Sequence, residues 1–94
     1  NTKIVDIYHT LEEYTKNITV YDPWANADKV EHEYGVQLTS SSLESLKGKF
    51  NAVILAVAHK EFVSLDIRSF LKNENGVVYD VKGILDREMI DGRL

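Results

Sequence analysis

The strongest constraint on the fold is an uninterrupted run of six apolar residues at positions 52–57, Ala-Val-Ile-Leu-Ala-Val. The run lacks the alternation of a half-exposed strand, and it lies between Gly48 and a polar turn at residues 59–61. It therefore predicts a strand buried on both faces, which is typical of the middle strands of parallel sheets covered by helices. Ligands bind beyond the carboxyl ends of such strands, so residues 58–61 are the predicted functional edge.

Further segments predict a regular alternation of helices and strands. Residues 18–22 and 77–80 are rich in β-branched and aromatic side chains and predict companion strands, and residues 36–38 predict a short peripheral one. Apolar residues at helical spacing predict an amphipathic helix over residues 2–16 and another from an Asn26 cap through Tyr34. Alternating helices and four strands indicate an α/β fold with a mostly parallel sheet.

The composition excludes several classes of function. The chain has 94 residues, which makes one domain at most, and its 44% hydrophobic content is ordinary for a globular protein. The net charge of −4 and the lack of a Lys/Arg cluster argue against nucleic-acid binding. Without cysteine, the chain has no disulfide, thiolate metal site or cysteine nucleophile. No stretch approaches the ~20 apolar residues of a membrane span and no signal peptide opens the chain, so a cytoplasmic protein is expected.

Metal and dinucleotide sites have little support in the sequence. The three histidines, His9, His32 and His59, have no second histidine or cysteine at ligand spacing, so no metal site is expected. His59 follows the predicted central strand, where a hydrogen-bonded loop histidine is the favoured interpretation. Asp22 ends a strand where a carboxylate can hold ribose hydroxyls, but no G-x-G-x-x-G accompanies it. A structural role for Asp22, ending the strand with Pro23, is therefore favoured.

Two other polar segments receive structural interpretations. Trp24, directly after Asp-Pro, is interpreted as a lid over the edge of the core rather than a stacking platform. The tripeptide Asp91-Gly92-Arg93 is interpreted as a turn near the end of the sequence.

The candidate binding residues are in the sequence Asp80-Val81-Lys82-Gly83, directly after the predicted strand at residues 77–80. A lysine at this position faces the ligand edge of the sheet, where it would pair with a phosphate. Gly83 would allow the backbone to approach the ligand closely. A solvated lysine in a turn is an equally good interpretation of the same residues.

Three segments together resemble the carboxyl-terminal, nucleotide-binding domain of the UDP-glucose/GDP-mannose dehydrogenase family. They are residues 21–25 (Tyr-Asp-Pro-Trp-Ala), residues 52–62 (Ala-Val-Ile-Leu-Ala-Val-Ala-His-Lys-Glu-Phe) and residues 79–85 (Tyr-Asp-Val-Lys-Gly-Ile-Leu). The Trp-Ala and Asp-Val-Lys-Gly segments are most similar to the branch that oxidises UDP-N-acetylhexosamines for bacterial surface polysaccharides. The resemblance spans nearly the whole chain.

The resemblance implies a Rossmann-like three-layer sandwich that closes over the UDP part of a UDP-sugar. By this resemblance Lys82 contacts the UDP portion, and Asp80 and Gly83 shape the turn that presents it. NAD and the catalytic cysteine would belong to an amino-terminal domain, and a central helix would form a homodimer. Residues 1–94 are therefore expected to be one domain, a carboxyl-terminal fragment of an NAD-dependent UDP-sugar 6-dehydrogenase that is inactive alone.

The resemblance also implies that the first strand of the sheet is missing from this sequence. In the strand order 3-2-1-4-5, that strand would lie between residues 18–22 and residues 52–57. Both neighbours would be left with unpaired backbone groups. We therefore expect either that the two strands pair with each other or that another chain fills the slot.

Two rival functions remain open. A stand-alone α/β regulatory or interaction module, such as a receiver-like domain, would need an acidic cluster and a phosphoacceptor aspartate after its central strand. Residues 56–59, Ala-Val-Ala-His, supply neither. A small NAD-binding protein is disfavoured because the five glycines are scattered.

Overall fold

The structure, a computed structural model, describes residues 2–57, 59–83, 85 and 87–93, without the side chains of residues 2, 3, 63 and 93. Ala58, part of the predicted functional edge, lies outside the described residues. The chain divides into two compact units, Asn1–Ser41 and Ser42–Leu94.

The first unit contains two helices, α1 (Thr2–Glu12) and α2 (Ala27–Tyr34). The predicted caps of α2 are confirmed. The Asn26 Oδ1 atom accepts a hydrogen bond from the Lys29 N–H at 3.0 Å, and Gly35 follows the helix with a left-handed φ of 70°. Helix α1 ends at Glu12, earlier than the predicted end at residue 16.

The strands predicted at residues 18–22 and 36–38 are reduced to one parallel bridge between Val20 and Leu38. The Thr39 N–H donates to the Val20 carbonyl at 2.8 Å. Among the described residues of this unit, the pairing does not extend beyond this bridge. The β-branched side chains of this segment favour extended backbone. An isolated pair of strands is nevertheless only marginally stable, because each strand has a single neighbour.

The second unit contains a small parallel sheet with short helices between its strands. Its elements in chain order are α3 (Leu43–Leu46), β1 (Ala52–Leu55), α4 (Lys60–Val63), the 3-10 helix η1 (Ile67–Phe70), β2 (Val77–Asp80), the 3-10 helix η2 (Arg87–Met89) and β3 (Gly92–Arg93). The strand order is β1-β2-β3, and both ladders are parallel. Ala52 pairs with Val77 and Leu55 with Asp80. The predicted α/β class and parallel sheet are confirmed.

The prediction that the apolar run forms a middle strand buried on both faces was wrong. β1 is an edge strand, and among the described residues it forms its ladder with β2 alone. Along β1 and β2 the side chains alternate between two faces of the sheet. Leu55 and Val78 are buried on one face, whereas Ile54 and Val77 keep 37% and 48% of their surface exposed on the other. The expected pairing of this strand with residues 18–22, which belong to the other unit, stays a prediction.

The core of the second unit combines the buried face of the sheet with apolar side chains from the helices and loops around it. Helix η1 contributes Ile67 and Phe70, and the remaining buried apolar residues of the unit are Leu46, Leu55, Phe62, Leu71, Val78 and Leu85. Burial of each large side chain stabilises the fold by roughly 1.5 to 3 kcal/mol. None of the helices among the described residues combines the length and the apolar character needed to cross a bilayer.

Candidate functional site

The carboxyl end of β2 continues into a turn that Asp80 organises. Asp80 is fully buried, and its Oδ1 atom accepts hydrogen bonds from the N–H groups of Lys82 at 3.1 Å and Gly83 at 2.8 Å. Its Oδ2 atom accepts the Leu85 N–H at 2.8 Å. Because three backbone amides donate to this carboxylate, Asp80 fixes the shape of the turn.

Two further features fix the turn at the edge of the sheet. Gly83 has a φ of 68°, in the left-handed region that glycine enters without the steric penalty of a Cβ atom. The Val81 N–H donates to the Leu55 carbonyl at 2.9 Å, which attaches the turn to the end of β1. The turn is thus held to both neighbouring strands before any ligand arrives.

Lys82 is exposed at this turn, at the edge where ligands of parallel sheets bind. None of the ion pairs among the described residues involves its side chain. The backbone N–H groups of Lys82 and Gly83 already bind the Asp80 carboxylate, so they are not available to cradle an anion. The turn therefore presents one exposed cation, a chemistry that suits a phosphate or diphosphate.

His59, in the predicted functional edge after β1, is part of the packing around α4. It is the N-cap residue of α4 without a side-chain capping hydrogen bond, and its ring centroid lies 5.4 Å from that of the buried Phe62. This position favours the structural interpretation of His59.

In the first unit, Asp22 caps the turn that follows it, whereas the strand that it was expected to end is only the bridge at Val20. The Asp22 Oδ1 atom accepts the Trp24 N–H at 2.9 Å, as in a turn closed by an aspartate side chain. Trp24 keeps 68% of its surface exposed, so the interpretation of its ring as a lid over the core was wrong. The residues next to Trp24 in the sequence do not predict whether its ring is buried or exposed.

The sequence patterns give no sign of a second polar pair in this unit, Arg68 and Asp91, which lies at the start of β2. The turn that the sequence predicts at residues 91–93 is wrong, because Gly92–Arg93 is the strand β3, paired with β2. The Asp91 Oδ2 atom accepts hydrogen bonds from the Val78 N–H at 2.8 Å and from Arg68 Nη1 at 3.0 Å. The Val78 N–H and the Arg68 guanidinium hold the pKa of Asp91 below its usual value.

No sequence pattern links Arg68 with Asp91, because they are far apart in the chain and on different elements. Among the residues that the structure describes, no group of three or more His, Cys, Asp and Glu side chains is placed to hold a metal ion. The candidate site is therefore the Lys82 turn, held by Asp80 and Gly83.

Comparison with known proteins points to one family. The model of the UDP-glucose/GDP-mannose dehydrogenase family, UDP binding domain, matches residues 1–87. The chain is 41% identical to UDP-N-acetyl-D-glucosamine 6-dehydrogenase of Pseudomonas aeruginosa and 37% identical to the enzyme of the same name from Salmonella typhi, over its whole length in both cases. It is 31% identical to Protein CapL of Staphylococcus aureus over 97% of its length.

These relatives are much longer than the chain. It spans 22% of the two dehydrogenases and 21% of Protein CapL. No solved structure matches the chain significantly.

Proposed function

Because the chain belongs to the UDP-glucose/GDP-mannose dehydrogenase family and matches its UDP-binding domain, we propose that it binds the UDP portion of a UDP-sugar. The binding group is the Lys82 ammonium, which pairs with the diphosphate. The observation that carries the proposal is an exposed cation on a turn that Asp80 and Gly83 hold at the carboxyl edge of a parallel sheet.

The chemistry of the turn suits a diphosphate better than a neutral ligand. A lysine ammonium brings three donors on a flexible stem, so it follows the oxygens of either phosphate. Charge-assisted hydrogen bonds of this kind are roughly twice as strong as neutral ones. Lys82 extends from a fixed backbone, so binding orders the side chain and little else.

We assign the chain to a longer cytoplasmic enzyme, an NAD-dependent UDP-sugar 6-dehydrogenase of bacterial polysaccharide biosynthesis that forms a homodimer. In that enzyme NAD would accept hydride from the sugar C6 as a uronic acid forms. This chain does not offer the amide cradle that NAD uses, because the turn amides after β2 already bind the buried Asp80 carboxylate and the sequence has no G-x-G-x-x-G. The cysteine-free chain is expected to bind UDP-sugar without oxidising it.

Replacing Lys82 by alanine is expected to weaken UDP binding about tenfold, because it removes the charge-assisted contact to the diphosphate. Isothermal titration of UDP into the wild type and the variant measures the change. Lys72→Ala is the matched control, because Lys72 is also exposed but precedes β2. Equal affinity of Lys82→Ala and wild type would contradict the proposed role of Lys82.

Titrations with UMP and NAD separate the rival functions. A diphosphate-binding turn predicts that UDP binds more tightly than UMP. If the chain is a regulatory module, none of UDP, UMP and NAD should bind. If it is a small NAD-binding protein, NAD should bind most tightly of the three.

Replacing Gly83 by alanine is expected to destabilise the chain by about 1 to 2 kcal/mol, because a Cβ atom is strained at its positive φ. Gly35→Ala is the matched control, since Gly35 has a φ of 70° at the end of α2. Thermal unfolding compares the stabilities of the two variants, and titration compares their UDP affinities. We expect similar losses of stability but weaker UDP binding for Gly83→Ala alone, and equal affinities would exclude a role for this turn.

A further inference from the structure

Arg68 joins three backbone segments of the second unit. Its Nη1 atom donates to the Met89 carbonyl at 3.2 Å and to Asp91 Oδ2 at 3.0 Å, and its Nη2 atom donates to the Gly76 carbonyl at 3.1 Å. Helix η1, which carries Arg68, is anchored in the core through Ile67 and Phe70. The guanidinium therefore fixes the segment before β3 against the segment before β2.

Asp91 acts as an additional strand residue beside Val78. Its N–H donates to the Val78 carbonyl at 2.7 Å, and its Oδ2 atom accepts the Val78 N–H at 2.8 Å. Both backbone groups of the fully buried Val78 are thereby paired on the side of β3. This matters because β3 itself contributes only two residues to the ladder.

The register of β3 brings this arrangement to the candidate site. Tyr79 pairs with Gly92 and Asp80 with Arg93, so the backbone of residue 93 lies beside the residue that holds the Lys82 turn. Gly92 lies close against β2, since an added Cβ atom would lie 2.9 Å from Tyr79 Cδ1. On the other side, Asp80 pairs with Leu55 of β1. Asp80 is thus held between two strands.

We propose that Arg68 and Asp91, the Arg68–Asp91 clamp, are positioning residues for the nucleotide site. The clamp keeps β3 in register beside Asp80. In this position β3 keeps water away from the Asp80 carboxylate, and the carboxylate holds the turn that presents Lys82. When the clamp is broken, β3 separates from β2, Asp80 becomes accessible to water and the turn loosens. The effect on ligand affinity rests on the proposed function, whereas the docking of β3 does not.

Two conservative variants test the clamp. Arg68→Lys keeps the charge, but a single ammonium does not reproduce the planar fork that reaches all three acceptors. Asp91→Asn keeps the shape and removes the charge. Hydrogen exchange by NMR reports β3 docking through the Val78 amide, and the Val77 amide, bonded to the Asn51 carbonyl, is the internal reference.

We expect the Val78 amide to exchange about tenfold faster in both variants while the Val77 amide is unchanged. UDP affinity should fall about three- to tenfold. Arg87→Lys, a change at an exposed arginine of η2, controls for the substitution itself. Gly48→Ala controls for general destabilisation, because Gly48 has a φ of 72° and an added Cβ atom meets nothing within 4 Å. Neither control should change UDP affinity.

The outcomes separate the clamp from the proposed function. Unchanged exchange at Val78 overturns the clamp. Faster exchange with unchanged UDP affinity overturns the positioning role, and so does an equal loss of affinity in Gly48→Ala. If the wild type does not bind UDP, the proposed function and the positioning role fail together, and the exchange data still decide whether the clamp holds β3.

Discussion

Replacing Asp80 by alanine is expected to lower the free energy of unfolding by about 3 to 5 kcal/mol, a large share of the stability of a small domain. The Asp80 side chain is fully buried and accepts hydrogen bonds from three backbone N–H groups, those of Lys82, Gly83 and Leu85. Alanine leaves these donors without their partner, and a buried unsatisfied donor costs roughly 1 to 3 kcal/mol. Urea denaturation followed by circular dichroism measures the change.

Two companion variants make the Asp80 experiment specific. Asp80→Asn retains one acceptor oxygen but turns an amide group toward backbone donors. We therefore expect its free energy of unfolding to lie between those of wild type and Asp80→Ala. Asp66→Ala is the matched control, because Asp66 is exposed and makes no side-chain capping bond to η1. Its effect should stay within about 0.5 kcal/mol. A loss of stability in Asp80→Ala no larger than that of Asp66→Ala would show that the carboxylate does not hold the turn.

Replacing Gly76 by alanine is expected to destabilise the chain by about 2 kcal/mol through overpacking. An added Cβ atom would lie 2.7 Å from Leu71 Cδ2 and 3.0 Å from the Asn51 carbonyl oxygen. The second contact is with backbone and is not relieved by a change of side-chain rotamer. The Gly76 carbonyl also accepts a hydrogen bond from Arg68, so a shift of this backbone disturbs the Arg68–Asp91 clamp.

A double-mutant cycle with Leu71→Ala tests the cause of this loss. Leu71→Ala creates a cavity and is itself destabilising, but it also removes the side chain that the new Cβ atom meets. The double variant should therefore be more stable than the sum of the single effects predicts, by about 1 kcal/mol. Additive losses would mean that contact with Leu71 is not the source of the strain.

The sequence predicted those parts of the fold that local chemistry determines. Asn26 and Gly35 mark the ends of α2 because an amide side chain and a left-handed glycine satisfy helix termini without help from the rest of the chain. Residues 77–80 form the predicted strand β2, which ends at Asp80, and the other two predicted site residues, Lys82 and Gly83, lie in the turn after it. In these cases propensity and tertiary environment agree.

The wrong predictions concern the tertiary neighbours of a segment, which the segment's own residues do not determine. The apolar run at residues 52–57 indicates a strand, but no residue within it shows whether one or two strands flank it or which face is covered. The predicted strand at residues 18–22 forms only the bridge at Val20 for the same reason, because a high β propensity does not provide a neighbouring strand to pair with. Asp91-Gly92 is a common turn signal, and the segment becomes a strand from Gly92 onward because Gly92 and Arg93 pair with the distant Tyr79 and Asp80.

Within the described residues of the second unit, β1 pairs with another strand on one side only, and this has a practical consequence for every binding measurement described above. Natural sheets protect such edges with lysine, proline or a bulge, whereas β1 contains only alanine, valine, isoleucine and leucine. In concentrated solution, aggregation by strand addition would compete with nucleotide binding and remove monomer from the equilibrium. Dilute samples, checked by light scattering before each titration, keep the measured affinity a property of the monomer.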